Sequence, residues 1–296
     1  MEIFKMHDLG PLTYALGIKF DQKEDGTIQM SQQSYIDKML EKFSMQDCKP
    51  TNTPLPIKSA TNIEPDNKPL QDINKYQQII GSLIFISNAT RPDIAYAVSH
   101  LARAMHAPLE SDLIAAKRVL RYLKGTRNYA LNYNNKDQDL IIYSDSSWAE
   151  EPGRKSVGGY ASICAGASIS WKSTKQAIIA MSTMEAEYIA LAEAAKEAQW
   201  LRKLELELFP KKISTPTTIY EDNQSTIKLS NNPLHTNRSK HIDIRYHKIQ
   251  ELVADKTIIV KYLPGTEMTA DIMTKSLGPQ LHHRHVAGLG LIDVGV

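Results

Sequence analysis

Cysteine is nearly missing from this chain of 296 residues, which carries only Cys48 and Cys164, far apart in sequence. That excludes a disulfide framework and a cysteine-rich zinc site, and free thiols in a reducing compartment are the simple expectation. Net charge is small as well, at +2, so bulk charge neither demands nor rejects a nucleic-acid partner, although a local basic face could still serve one. No apolar run approaches the roughly 18 residues of a membrane span. The opening MEIFKMHDLG breaks its apolar residues with charges, which excludes a signal peptide. Internal repeats and low-complexity tracts are lacking too. What is present, 42% hydrophobic and 23% charged residues, is the composition of a soluble globular protein with room for two domains. An intracellular protein, cytoplasmic or nuclear and without a membrane partner, is expected.

The chain changes rhythm near its middle. Residues 1–30 read as β-rich: LTYALGIKF and TIQMS flank the turn signal Asp25-Gly26. Ser34 opens an amphipathic helix with Tyr35, Met39, Leu40 and Phe43 on one face. Residues 49–75, with Pro50, Pro54, Pro56, Pro65 and Pro69, read as an extended linker. Tyr76 to Tyr122 is largely helical, with helices predicted around 91–106 and 111–124, the second ending in Lys124-Gly125. From Leu140 a different order begins. Strands are predicted at 140–144, 157–164 and 168–173, then a long helix at 183–208 with Trp200 on its apolar side. A strand at 217–220, helices at 223–231 and 242–254, a strand at 257–263 and a short helix at 268–276 complete it. Three hairpin-joined strands followed by alternating strands and helices predict a mixed sheet flanked by helices.

Acidic residues fall where such a sheet makes a crevice. Asp145 ends the first strand of this half, Asp222 follows the fourth, Glu187 lies in the first turns of the long helix, and Asp271 starts the last helix. Carboxylates converging there repel one another unless cations neutralise them. Magnesium is the natural fit, a hard ion that keeps waters and substrate phosphate oxygens. Two such ions about 4 Å apart can activate a water and stabilise a leaving oxygen. Each acid alone has a plain alternative. Asp222 with Asn223 could cap its helix, and Glu185 with Glu187 could be a solvated first turn.

Five stretches decide between these. YSDSSWAEEPGRKSVGGY, ISWKSTKQAIIAMSTMEAEYIALAEAAKEAQWLRKL, TIYEDNQSTIKLSNNP, RSKHIDIRYHKIQELV and YLPGTEMTADIMTKSL occur in order over about 140–277. Together they resemble the ribonuclease H domain of copia-type LTR retrotransposon Pol polyproteins. The resemblance implies an α/β ribonuclease H-like fold, a mixed five-stranded sheet flanked by helices. It also implies hydrolysis of the RNA strand of an RNA–DNA hybrid by two Mg2+ ions, with Mn2+ as a substitute. Asp145, Asp222 and Asp271 match the family's acids. The helix Glu is open between Glu185 and Glu187; the family's Glu precedes an apolar pair and an alanine, and Glu187-Tyr188-Ile189-Ala190 fits that register. The two are about 200° apart around a helix, so one should face the site. Many ribonucleases H carry a mobile His in the loop before the last Asp. Here that loop, Pro264 to Met268, has none, and His235, His241 and His247 belong to the preceding segment.

A hybrid-cutting enzyme holds backbones by cations and polar groups. The candidates are Ser146 and Asn223 beside the acids, Arg154 and Lys155 in the following turn, Lys172, and the cluster Arg238, Lys240, Arg245 and Lys248. The alternative for each cation is a solvated face. Trp148 and Trp171 could stack on a substrate or fill core, and core is the preferred reading.

The first half extends the resemblance. FKMHDLGPLTYALGIKF is similar to the end of the reverse-transcriptase palm of the same polyproteins. SQQSYIDKMLEKFSM with CKPTNTPLP is similar to the thumb. YQQIIGSLIFISNATRPDIAYAVSHLARAMHAP and AAKRVLRYLKGT are similar to the connection. This implies a mainly helical thumb/connection remnant with a short N-terminal β-hairpin over 1–135, the ribonuclease H domain over 136–280, and a tail at 281–296. The polymerase acidic pair expected upstream of Asp8 is missing, so a truncated polyprotein is expected, its hairpin exposing an unpaired edge and its partner the rest of reverse transcriptase. A nucleic-acid-binding remnant without turnover is the alternative.

Overall fold

The computed structural model describes residues 10–57, 68–134, 139–210, 215–231 and 240–295, the side chains of 240–246 excepted. Asp25-Gly26 turns the chain as expected. β1 (Tyr14–Ala15), β2 (Ile18–Gln22) and β3 (Ile28–Ser31) form an antiparallel meander. Gly26 takes φ +83°, and Lys23 N donates to Thr27 O at 2.9 Å. α1 (Gln33–Lys42) buries Ile36, Met39 and Leu40, the stripe that 3.6-residue spacing demands.

α2 (Ile73–Ala89) starts at Asp72, whose carboxylate accepts from Lys75 N at 2.9 Å. It buries Tyr76, Ile79, Ile80, Leu83 and Ile86. The helix expected at 91–106 is shorter: a 3-10 turn at Pro92–Ile94 leads into α3 (Ala95–Ala102). α4 (Glu110–Gly125) follows, and the four helices share one core. Part of the expected linker packs onto it. Thr53, Pro54 and Leu55 are buried, because α4 grips the preceding backbone: Arg121 Nε donates to Lys49 O (2.6 Å) and Lys124 Nζ to Cys48 O (2.7 Å). Residues 58–67 lie outside the described ones.

Sequence periodicity did not reveal β4 (Tyr129–Tyr133), which pairs with β3 and covers the edge expected to be open. The second sheet comprises β5 (Ile141–Glu151), β6 (Lys155–Cys164) and β7 (Ala167–Lys175), then β8 (Thr217–Glu221) and β9 (Ile258–Tyr262). Its order is β7-β6-β5-β8-β9, antiparallel through the first three strands and parallel through the last three. This is the ribonuclease H-like mixed sheet that the sequence predicts. Ala165 and Gly166, both at positive φ, make the tight β6–β7 turn. α5 (Thr183–Leu208), α6 (Gln224–Asn231) and α7 (Lys240–Ala254) flank it. A second core joins Ile142, Tyr188, Leu191, Ile219 and Leu252. Trp200 is a correction: it is exposed, turned away from that core.

In place of the expected helix at 268–276, two 3-10 turns cover Gly265–Glu267 and Thr269–Met273. The expected tail at 281–296 is corrected too. It carries α8 (Pro279–Gly288) and β10 (Leu291–Asp293), and β10 pairs antiparallel with β4. The first sheet is therefore five-stranded, β1-β2-β3-β4-β10. A third core between the two sheets gathers Leu131, Ile163, Ile272, Met273, Val286 and Leu291. Trp171 Nε1 donates to Ser87 O (2.7 Å) and Tyr133 OH to Ser168 O (2.7 Å), tying the two halves further.

Candidate metal centre

β5 and β8 run parallel with Tyr143 opposite Tyr220. Two residues on from that pair lie Asp145 and Asp222, so the register alone brings both acids to one end of the sheet. The stacked rings of Tyr143 and Tyr220, 5.3 Å apart, lock it.

Helix α5 supplies the third acid, and its N-terminus separates the two glutamates. Ser182 Oγ accepts from Glu185 N at 3.2 Å, and Glu185 Oε2 accepts from Met181 N at 2.7 Å. This reciprocal cap holds Glu185 at the helix end. Glu187, on another face of the helix, reaches the sheet. Asp145, Glu187 and Asp222 each bring an oxygen within 4.8 Å of the others.

Asp271 arrives by another route. The 3-10 turn at 269–273 lies directly on β6 at Gly159, where a Cβ would meet Met273 Cβ at 2.5 Å. Glycine there is what lets the turn settle beside Asp145, which pairs with Gly159. Asp271 stands outside the close trio and forms an ion pair with Lys275 at 2.9 Å. Lys275 also lies 3.7 Å from Asp145 Oδ2, an oxygen that accepts a short hydrogen bond from the Thr274 hydroxyl.

The energetics are those of crowded, buried acids. Burial, then the charges of Asp145, Glu221 and Asp222, hold the Glu187 carboxyl well above its ordinary range. Burial and Asp145 raise Asp222. Burial and Asp145 lift Asp271 to about 7, against the pull of Lys275. Burial opposes the charge on Lys275, but Asp145 and Asp271 outweigh it and push the amine upward. Glu187 Oε2 is buried with no hydrogen-bond partner. An all-oxygen donor set with surplus negative charge and an unpartnered buried oxygen fits a hard divalent cation.

Three neighbours escaped the sequence reading. Lys275 had a signal, its i+4 spacing from Asp271. Glu221 had one as well: alternation along β8 buries Thr217, Ile219 and Glu221 on one face. Burial raises Glu221 strongly, and its Oε2 is unpartnered. Thr274 had none beyond proximity. α8 adds buried His285, pushed down to about 4 by burial and by Arg284 and Lys275.

The expected contact residues scatter. Ser146 is buried beside Asp145 with its hydroxyl unpartnered. Asn223 Oδ1 caps α6, accepting from Ser225 N (3.0 Å) and Thr226 N (3.1 Å). Arg154 and Lys155 sit at the far end of the β5–β6 hairpin, where Lys155 Nζ donates to Ala177 O at 2.8 Å. Lys172 pairs with Glu193 (3.3 Å) and lines a cavity of about 250 Å3 between α5 and the β6–β7 edge. Lys248 pairs with Glu251 at 3.6 Å. Arg238 and His235 lie outside the described residues, as do the side chains of Lys240, His241 and Arg245. Trp171 packs against the third core, as preferred. Trp148 does not fill core: it is 44% exposed, on a β-bulge whose Ala149 has φ +55°, and its indole donates to Ala180 O at 3.0 Å.

Residues 1–57 match the family model described as reverse transcriptase (RNA-dependent DNA polymerase). The chain is 38% identical over 281 residues to the retrovirus-related Pol polyprotein from transposon TNT 1-94 of Nicotiana tabacum, covering 92% of this chain and 21% of that one. It is 35% identical over 294 residues to that from transposon RE1 of Arabidopsis thaliana, covering 98% and 20%. It thus spans about a fifth of the length of these relatives. Among solved structures, LC11-RNase H1 in complex with an RNA/DNA hybrid matches at 16% identity and a TM-score of 0.35, over 46% of this chain and 94% of that one.

Proposed function

The chain belongs to the Pol polyproteins of copia-type LTR retrotransposons, and from that premise we propose that residues 136–280 act as a magnesium-dependent ribonuclease H on RNA–DNA hybrids. One observation carries the reading. Asp145, Glu187 and Asp222, drawn from two strands and a helix, bring carboxylate oxygens within 4.8 Å of one another.

In this reading Asp145 is shared. With Glu187 and Asp222 it would hold one ion, and with Asp271 a second. Mg2+, or Mn2+ in its place, supplies when bound an activated water and stabilisation of the leaving oxygen. Ser146, next to Asp145 on the same strand, would contact a sugar or phosphate oxygen. Arg154, Lys155 and the cations Arg238, Lys240, Arg245 and Lys248 would contact the hybrid's backbones. Residues 1–135 then serve as the thumb/connection platform, docking to the rest of a reverse transcriptase. No helix among the described residues is long and apolar enough to cross a membrane.

A second reading, a nucleic-acid-binding fragment without turnover, is favoured by Lys275, whose ammonium already neutralises part of the cluster. A gel assay with a hybrid labelled on its RNA strand separates the two. The first reading expects RNA cleavage that needs Mg2+ or Mn2+ and disappears in Asp145→Asn. Hybrid bound but uncut by the intact chain under both metals would establish the second.

A further inference from the structure

Lys275 divides the cluster into two unequal sides. On one side, oxygens of Asp145, Glu187 and Asp222 converge. On the other, Asp145 and Asp271 converge on the Lys275 ammonium, at 3.7 and 2.9 Å. Thr274, the residue before it, donates to the same Asp145 Oδ2. The Thr274-Lys275 pair therefore occupies the oxygen that the second side most needs.

We propose that Lys275 is a tethered cation that closes the Asp145–Asp271 side until a second divalent ion displaces it. The proposal rests on the metal-dependent reading above and makes the two ion positions unequal. The first ion binds at Asp145, Glu187 and Asp222 without moving Lys275. The second must evict it.

The chemistry requires a choice between the two cations. A magnesium ion needs oxygens at about 2.0–2.1 Å and will not share Asp145 and Asp271 with an ammonium already in contact with Asp271. The ammonium is singly charged and cannot activate a coordinated water, so it balances charge without supplying chemistry. It can also leave. Its side chain is 33% exposed, on a flexible four-carbon stem. At low metal the chain rests with one ion and one lysine, its carboxylates held apart from wasteful binding. At higher metal, or when substrate phosphate adds ligands, the lysine swings out and the second position fills.

Titration calorimetry of Mn2+ into the full chain, with free Mn2+ counted by electron paramagnetic resonance, tests this. The wild type should show one stronger site and a second weaker by about tenfold or more. Lys275→Met should tighten the second about tenfold and leave the first within about twofold. Lys275→Arg keeps the charge and should reproduce the wild-type isotherm. An unchanged second site in Lys275→Met, with the first intact, overturns the proposal alone. Absence of Mn2+ binding in wild type and variants overturns the metal reading and the proposal with it. A measurement on the unaltered protein guards against a variant that fails to fold. Labelling of the Lys275 amine by a succinimidyl ester, read by mass spectrometry, should rise several-fold on saturation with Mn2+, and constant labelling overturns the proposal.

Discussion

Two buried charged clusters lie within this molecule, and they are solved in opposite ways. In the helical half, Arg91 and Asp93 are fully buried and fully matched. The guanidinium holds both Asp93 oxygens, at 2.9 and 2.7 Å, and donates to Thr126 O and Oγ1. Tyr122 OH donates to Asp93 at 2.7 Å, and His282 of α8 lies 3.0 Å from that hydroxyl. Burial works against both charges, yet each partner holds the other ionised. In the sheet half, five acids share one lysine, and buried oxygens of Glu187 and Glu221 lack a hydrogen-bond partner. A cluster that balances itself is a fastener. One that does not carries an electrostatic cost that a bound cation would relieve.

Breaking the balanced cluster should cost most. Arg91→Ala leaves Asp93 buried and unpaired and should destabilise the fold by about 3–5 kcal/mol in chemical denaturation. A change below about 1 kcal/mol would mean that the network is not the fastener described. The unbalanced cluster should respond the other way. Asp145→Asn should reduce hybrid cleavage on the order of a thousandfold, ~4 kcal/mol of activation. Its metal-free melting temperature should hold or rise, because one mutual repulsion is gone.

The next effect is the pH dependence of stability. Asp271 titrates near 7 in the fold against 3.8 in an unfolded chain, so between those values the folded chain keeps a proton that the unfolded one has lost. Metal-free stability should therefore fall as pH rises from about 4 to 7, then level off. Magnesium should raise the melting temperature more at pH 8 than at pH 5, since it competes with protons for the same oxygens. Equal shifts at both would remove Asp271 from the metal site. A smaller effect is expected at Glu221→Gln, which should stabilise the metal-free chain by about 1 kcal/mol at high pH, since an amide cannot ionise and keeps the shape. Comparable in size is Trp148→Ala. The exposed indole should add about 1 kcal/mol to hybrid affinity, read by fluorescence anisotropy, with the fold unaffected.

Much of this contrast was legible in the sequence, unevenly. β5 to β9 and the helices between them announce themselves by local period, and their turns by Gly166 and helix caps. Asp145 and Asp222 follow because strand register carries them together. Glu187 rather than Glu185 is a matter of helical phase, and the Ser182 cap settles the geometry. Other features depend on partners distant in the chain. YALNY is a short strand only because β3 and β10 flank it, and the segment read as a tail is ordered only because β4 receives it. Arg91 read as one residue of a familiar stretch, since nothing in local periodicity says that Thr126 and His282 will meet there. Lys275 drew no reading of its own, because its second partner, Asp145, comes from another element altogether.

The pairing of Leu291 with Leu131 has a consequence in time. A stretch as long as a domain separates β4 from the strand that completes its sheet. During synthesis, β1 to β4 leave the ribosome with the β4 edge open, and it stays so while the whole second sheet is made. Closure thus cannot precede the synthesis of β10, and it needs the intervening segment to bring both ends to the same place. The strand works as a seal on a finished product: a chain that stalls or misfolds in between keeps its first sheet open.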